Sequence, residues 1–525
     1  MDQSRPALGS PSLSDQPDVQ RPARLGRGGG FVALLCGALL PLAFAPFHFY
    51  PLAIAVPAVM FLLWQGLTPR QAFRCGYWFG LGMFGVGVSW VFVSMYDFGG
   101  VGLGLSLFLT ALFVLFLCLF PALLGYTLAR LGCNTTPLLQ LTLLYPAAWV
   151  LFEWIRGWFL TGFPWLLLGY SQSDTFLAGW APVMGVYGVS LAVALSAGWL
   201  AALLYARSLP PRLLLVAGVL ALWGAAALLQ QHSWTRPAGD PLRVTLLQGN
   251  ISQDIKWLED MREPTLELYH QLTAEHWDSQ LIVWPESALP DMYHAVERYL
   301  DGLAEEARRH HSALLVGVLY DDPATGRYYN SVVSVGDHRA FYHKHHLVPF
   351  TEYLPMEDLL GGIVRFMQVP MSDFSKGLAV QPPLAVAGQQ AGISICYEDA
   401  FGEEVINALP KATFLVNVSD DAWFGRSVAP RQHLQIARMR ALETGRPLLR
   451  ATNTGITAIV DAQGKVQAEA PPFQAAALTG KIQPRQGMTP YGRAGNYPVV
   501  ILVMAMVVAA VWPARRRRQD WRAAL

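Results

Sequence analysis

The sequence predicts two unlike halves: a multi-span α-helical membrane domain of about eight transmembrane helices, and an α/β domain whose sheets are layered with helices. Three observations predict it. The 525 residues are 53% hydrophobic and only 14% charged, against about 25% charged in an ordinary soluble protein. The charge is unevenly placed, sparse over residues 31–230 and normal for a globular domain over 241–485. Within that second stretch, strand-like runs, helical runs and a hairpin turn are mixed, which argues against a simple doubly wound array. A net charge of +1 and the lack of a basic stripe with interleaved aromatics give no reason to expect a nucleic-acid partner.

Taken in order, residues 1–30 are rich in Pro, Ser, Gly and Arg and read as a disordered cytoplasmic tail. Arg21, Arg24 and Arg27 precede the first apolar run. No small-residue cleavage site with a polar start follows it, so the run reads as a span and not a signal peptide. Apolar runs at 31–49, 51–65, 76–96, 101–129, 138–153, 180–206 and 211–230 make a membrane domain over 31–235, and an eighth run at 496–513 makes a final helix over 494–513. Each approaches the ~20 residues a bilayer requires, although 51–65 and 138–153 are short. A basic tail, 514–525, carries Arg515 to Arg518.

Basic residues set the orientation. If every run crosses, the N-terminal arginines, Arg70 and Arg74, Arg130, Arg207 and Arg212, and Arg515 to Arg518 share one side, with Arg156 the exception. That side is cytoplasmic by the positive-inside rule. Seven crossings then put a catalytic domain, 240–488, in the periplasm, and the eighth returns the C-terminus. Between the runs, 154–180 is crowded with Trp154, Trp158, Phe159, Phe163, Trp165, Tyr170 and Trp180 and is interrupted by Pro164. It reads as a loop or short helix at the headgroup level. Two readings are open for Arg156: a lipid phosphate or a pair with Glu153.

In the polar half the patterns predict strands at Val244–Gln248, Leu281–Trp284, Ser312–Val318, Ser331–Val335, Ala340–His343, Ala391–Ile395 and Thr413–Val418. They predict helices over 261–278, 294–310, 400–408 and 428–444. Three of these strands end on chemistry. Val283-Trp284-Pro285-Glu286 places a carboxylate after a strand, Tyr342-His343-Lys344 places a lysine, and Ile395-Cys396-Tyr397-Glu398 places a thiol. Of five cysteines, Cys36, Cys75, Cys118 and Cys133 belong to the apolar half, so Cys396 is alone in the polar one. A lone thiol beside candidate bases is a nucleophile in one reading and a small buried hydrophobe in the other. Glutamate, lysine and cysteine together make a workable acyl-transfer set. The carboxylate takes the thiol proton, the thiolate attacks a carbonyl, and the ammonium steadies the oxyanion.

The order Glu, Lys, Cys in the contexts W-P-E, Y-H-K and I-C-Y-E-D resembles the nitrilase superfamily of carbon–nitrogen hydrolases. With its membrane spans, nearly the whole chain after the tail resembles the bacterial apolipoprotein N-acyltransferase family. Gln248-Gly249-Asn250-Ile251 with Lys256-Trp257, Trp284 to Ala288, Leu347 to Phe350, Ala422 to Gly425, and Arg446 to Gly455 carry the likeness. The resemblance implies a nitrilase-like αββα sandwich for the polar half. It implies Glu286 as general base, Lys344 as oxyanion stabiliser, Cys396 as nucleophile and Glu352 as support for the lysine and the base. It makes Trp257, Tyr397 and Glu398 residues that hold the site or its lid loops. It further implies an acyl-enzyme thioester, a phospholipid donor, a diacylglyceryl-apolipoprotein acceptor, a bacterial inner-membrane location and a monomer that uses no cofactor. Two positions depart from the family's common pattern, Thr351 in place of Gly and Asp420 in place of Asn. Neither is expected to touch a catalytic atom.

Two further stretches draw attention. The run Leu359 to Met367 is apolar and glycine-hinged inside a polar domain. Leu359, Leu360, Ile363 and Phe366 are either a lid that dips into the bilayer or ordinary core. His343, His345 and His346 are not spaced as a structural metal site and read as polar residues around Lys344. Competing functions are a membrane-tethered amidase or nitrilase, and a transporter or lipid-binding scaffold. Eight spans are superfluous for a soluble substrate. Asp97, Glu153 and Asp174 lie near segment ends and not in a solute path.

Overall fold

The computed structural model describes residues 27–133, 135–353 and 374–523. Among the described residues before the polar half, the helices longer than ten residues are α1 (Arg27–Leu39), α2 (Leu52–Trp64), α3 (Pro69–Gly87), α4 (Leu103–Gly132), α5 (Tyr145–Arg156), α6 (Ala181–Leu203) and α7 (Leu209–Gln231). Four segments are long and apolar enough to cross a membrane: Leu103–Gly132, Pro137–Arg156, Phe176–Leu203 and Leu209–Gln231. Pro69–Gly87 and Val91–Phe98 make a fifth if taken together, but they are bent by 56°. Gly28–Ala43, Leu52–Trp64 and Tyr497–Trp512 are apolar and shorter. The run expected at 76–96 is thus broken. The break falls after Gly87, where Trp90 turns aside to meet Phe424 of the other half at 4.8 Å between ring centres. Small residues set the helix spacing, since a methyl group at Gly76 would lie 2.1 Å from the Pro121 carbonyl oxygen of α4.

The stretch after α5 forms three 3-10 turns, Phe159–Thr161, Leu168–Gln172 and Phe176–Trp180. Its aromatics divide. Trp158 and Phe159 are exposed, whereas Trp165 and Tyr170 are buried. Arg156 is buried. Its Nη1 donates to the carbonyls of Phe163 at 2.7 Å and Trp165 at 2.6 Å. Buried carbonyls without a strand partner need a donor, and the guanidinium supplies two.

Besides the short pair Arg236–Pro237 with Arg485–Gln486, the described polar half holds two six-stranded sheets. The first contains β1 (Leu242–Gln248), β2 (Leu281–Val283), β3 (Ala313–Asp322), β4 (Arg327–Val335) and β5 (Phe341–His343). The second contains β6 (Leu384–Val386), β7 (Gln389–Ile395), β8 (Phe414–Ser419), β9 (Leu448–Thr452), β10 (Ala458–Val460) and β11 (Val466–Glu469). β12 (Ala476–Ile482) returns to the first sheet. Their orders are β12-β1-β2-β3-β4-β5 and β11-β10-β9-β8-β7-β6. Each has three parallel central strands, β1-β2-β3 and β7-β8-β9, flanked by antiparallel ones. Val244, Leu246, Val283 and Val332 of one sheet meet Ile393, Ile395, Val416 and Leu449 of the other in a shared core.

Helices α8 (Arg262–Ala274) and α9 (Tyr293–Arg309) cover the outer face of the first sheet. α9 shows why it forms: Val296, Leu300, Leu303, Ala304 and Ala307 recur at helical spacing on its buried face. Helix α10 (Ala429–Thr444) covers the second sheet and is buried along almost its whole length, because α6 packs on its other side. The last helix, α11 (Tyr497–Ala523), returns to the apolar half against α5. The layering expected from the sequence is present. Strands β6 and β9 to β12 were not anticipated.

Candidate active site

The three strand ends converge where the two sheets meet. Glu286 follows β2, Lys344 follows β5 and Cys396 follows β7. Glu286 and Lys344 are buried, and Cys396 is partly exposed. The Glu286 carboxylate is held at both oxygens. Oε1 accepts from Asn330 Nδ2 at 2.7 Å and lies 3.6 Å from Lys344 Nζ, while Oε2 accepts from the Asp420 backbone amide at 2.9 Å. Lys344 Nζ is 2.8 Å from Glu352 Oε1, and Glu352 Oε2 accepts from Val348 N at 2.8 Å. Asn330 Nδ2 also reaches Glu352 Oε1 at 3.4 Å. One ammonium therefore bridges two carboxylates.

Cys396 has φ 52°. A side chain in the left-handed region costs of order 1–3 kcal/mol, and here it turns the chain abruptly from β7 into the 3-10 turn Cys396–Ala400. Asn417 Nδ2 holds the Cys396 carbonyl at 3.1 Å. Glu398 closes the turn: its carboxylate accepts from the amides of Ile395, His345 and His346 at 2.7, 2.6 and 3.0 Å and from Tyr342 Oη at 3.1 Å. Tyr397 faces the apolar half, with its hydroxyl donating to the Gly162 carbonyl at 3.3 Å and its ring stacked on Trp165.

Charge follows from this packing. Burial pushes Glu286 above the ordinary carboxylate range, and Glu352 and Asp420 add to that against the opposing pull of Lys344. Burial and the Glu286 charge raise the Cys396 thiol, with Lys344 opposing. Burial works against the Lys344 ammonium, but Glu352, Glu286 and Cys396 outweigh it and raise its pKa. Glu398 is pushed up to about 7 by burial, against the amides it accepts from and Lys344. A neutral thiol beside an unusually basic carboxylate and a fixed ammonium is arranged for proton transfer coupled to nucleophilic attack.

Below this cluster lies a second one. His433 Nδ1 is 2.9 Å from Asp421 Oδ1 and Nε2 is 3.1 Å from Asp399 Oδ1. Arg450 reaches Asp399 at 3.1 Å, Asp421 at 2.9 Å and Asn417 at 2.5 Å. The two carboxylates only accept and so favour a proton on each imidazole nitrogen, while Arg450 Nη2, 2.9 Å from Nδ1, disfavours one there. Burial and Arg450 oppose that charge, yet the two aspartates win and His433 stands at about 9.

The structure brings Glu286, Lys344, Cys396, Glu352, Tyr397 and Glu398 together as the sequence suggested. Trp257 is half-buried, with Lys256 Nζ 5.8 Å from its ring centre. Leu359, Leu360, Ile363 and Phe366 lie outside the described residues. His343 bonds Ser331, His345 the Gly377 carbonyl, and His346 bonds Glu404.

Asp420 meets Glu286 through its backbone, a contact an asparagine would share. Its side chain pairs with buried Lys256 at 2.7 Å while accepting from Asn453. Thr351 needs no glycine-like backbone, because the left-handed residue of that turn is Phe350 at φ 63°. Lys256, Asn330 and His433 were missed. The signal available for Asn330 was a polar residue immediately before the apolar run of β4.

The Apolipoprotein N-acyltransferase N-terminal domain family matches residues 36–199, and the Carbon-nitrogen hydrolase family matches 243–489. The chain is 49% identical over 495 residues to the apolipoprotein N-acyltransferase of Methylococcus capsulatus, covering 93% of this chain and 96% of that one. It is 45% identical over 499 residues to that of Nitrosomonas europaea, covering 93% and 99%. A solved carbon–nitrogen hydrolase from Helicobacter pylori aligns at 18% identity and TM-score 0.36, covering 54% of this chain and 98% of that one. By identity sustained over nine-tenths of its length, the chain belongs to the apolipoprotein N-acyltransferase family of acyl-transferring enzymes.

Proposed function

We propose that the chain moves a fatty acyl group from a phospholipid to the α-amine of the N-terminal diacylglyceryl-cysteine of an apolipoprotein, through a thioester on Cys396. The observation that carries this is the convergence of Glu286, Lys344 and Cys396 on a turn whose next residue, Tyr397, touches Gly162 and Trp165 of the apolar half. In the first half-reaction Glu286 takes the thiol proton as sulfur attacks the ester carbonyl. Lys344 stabilises the oxyanion. Collapse breaks the ester C–O bond, and the lysophospholipid leaves with the proton from Glu286. In the second, the amine attacks the thioester, Glu286 takes the amine proton, and collapse releases the amide. The sulfur recovers its proton from Glu286.

Both substrates lie in a bilayer, and the apolar helices supply the placement. Counting the bent pair as one crossing and the three shorter helices as crossings gives eight. The positive-inside rule then sets the termini in the cytoplasm and residues 240–488 on the periplasmic face of the inner membrane. Glu352 holds the lysine, Glu398 and Tyr397 hold the nucleophile turn, and Trp257 helps hold the site or its lid loops. The enzyme works as a monomer. The segment with Leu359, Leu360, Ile363 and Phe366 gates lipid entry.

Intact-protein mass spectrometry after mixing with a phospholipid of defined chains tests the reading. A gain of one acyl group, lost in Cys396→Ser and discharged by a diacylglyceryl peptide, is expected. Turnover of small amides with no adduct would replace it with a hydrolase.

A further inference from the structure

Between the two halves lies a cavity of about 250 Å³, far above the ~10–15 Å³ that holds one water. Trp154, Tyr187 and Asn496 wall it from the apolar half, and His346, Phe401 and Glu403 from the α/β half. Glu286, Lys344 and Cys396 do not line it. Several of its polar atoms are buried without a partner. His346 Nδ1 is engaged by Glu404 at 2.8 Å, and its Nε2 meets nothing. Asn496 is 6% exposed, and its Oδ1 is likewise unmatched. Arg440, 1% exposed, lines the same cavity with Nε unpaired, while its Nη2 is held by Glu443 at 3.2 Å. A buried polar atom left unmatched costs about 1–3 kcal/mol, so three around one cavity mark a place built for an occupant.

In the tautomer whose Nδ1–H donates to Glu404, His346 Nε2 is an acceptor. Together with Asn496 Oδ1 and the Glu403 carboxylate it makes three acceptors amid aromatic walls, which suits an ammonium. Arg440 Nε is the complementary donor for an anion. Trp158, 53% exposed, lines the cavity, and Leu160 and Tyr497, at 65 and 75% exposure, flank it in sequence on the segment after α5 and at the start of α11. An aromatic and apolar fringe of this kind belongs at a bilayer interface.

We propose that this cavity binds the zwitterionic headgroup of an intact phospholipid, amine and phosphate together, at a site separate from the acyl-transfer centre. This rests on the membrane placement proposed above. The lipid acts as a brace: the ring of His346 stacks on Phe401 at 3.6 Å and its amide donates to Glu398 of the nucleophile turn.

The test is native mass spectrometry of the detergent-solubilised full chain carrying Cys396→Ala, titrated with phosphatidylethanolamine or phosphatidylglycerol of identical acyl chains. The parent should retain one more phosphatidylethanolamine than Glu403→Gln or Asn496→Leu, and phosphatidylglycerol should need at least tenfold more lipid for the same occupancy. Equal lipid counts in parent and variants would overturn the site. Equal binding of the two lipids on the unmutated cavity would overturn its headgroup chemistry. Because the nucleophile is absent, the count is independent of acyl transfer. Failure to form the Cys396 adduct would sink the acyltransferase reading and leave this measurement untouched.

Discussion

Replacing His433 with Gln should abolish one defined pH dependence of stability. In the fold this imidazolium sits between Asp399, Asp421 and Arg450, with the rings of Trp165 and Phe424 beside it. Its pKa rises from 6.5 to about 9, so protonation favours the folded state. The stabilisation is whole below 6.5 and disappears as pH climbs through about 9. At about 1.4 kcal/mol per pH unit, that interval is worth about 3 kcal/mol. For a domain of this size the loss corresponds to a fall in Tm of roughly 6–12 °C between pH 6 and pH 10. Thermal unfolding followed by intrinsic fluorescence at a fixed scan rate, in one detergent across that range, measures it. The wild type should show the slope and His433→Gln should lack it while starting lower at pH 6. The variant leaves two buried aspartates facing one arginine, and breaking such a network costs about 3–5 kcal/mol. An unchanged slope in the variant would refute the charged assignment.

Substitutions at Asn330, Asp420, Trp165 and Gln432 separate the parts of the site. Asn330→Ala removes the donor shared by Glu286 and Glu352. Hydrogen bonds to charged groups contribute about 1.5–3 kcal/mol, so acylation should slow about 10- to 100-fold in stopped-flow adduct formation, with unchanged lipid affinity. Asp420→Asn keeps the amide bond to Glu286 and an acceptor for Lys256 but removes a charge that raises Glu286, so the acidic limb of the pH–rate profile should move to lower pH. Asp420→Ala instead strands a buried ammonium and should destabilise by about 3–5 kcal/mol in thermal unfolding. Trp165→Phe and Gln432→Ala should be non-additive in acylation rate, because each loses the same 2.6 Å bond; additivity would mean the bond does not position Tyr397.

Much of this was legible because local pattern and tertiary role agree. Strands β2, β5 and β7 lead into the residues proposed to do the chemistry, so Glu286, Lys344 and Cys396 could be read from where a pattern ends. The parts that were not legible break the pattern for a tertiary reason. β9 carries Arg450 at 0% exposure in the middle of a strand, and only the pairing of that charge with Asp399 and Asp421 makes it tolerable. β12 holds Gly480 against Ile459 and is a strand because β1 pairs with it along seven residues. Lys256 and Asp420 are far apart in sequence, so nothing local announces their ion pair. The break at Gly87 likewise depends on Phe424 receiving Trp90.

Helix α10 shows how these exceptions serve one end. Its sequence mixes polar and apolar residues as a half-exposed helix would, yet it is buried on both sides. The face toward the apolar half does not rely on apolar contact alone, which is non-directional and would let the halves slide. It carries polar contacts with defined partners: Gln432 with Trp165 Nε1, Gln435 with the Ala45 amide, Arg438 with Asp174, and Glu443 with the Val186 amide. The Val186 amide is free to bond because Gly185, at φ 65°, interrupts α6. The same helix bears His433, which grips Asp399 of the nucleophile turn. Register between the lipid-facing helices and Cys396 is therefore transmitted through one rigid element whose buried polar groups permit a single docking. An enzyme that brings lipid substrates to Cys396, as proposed above, needs that constraint more than it needs the stability an apolar interface would add.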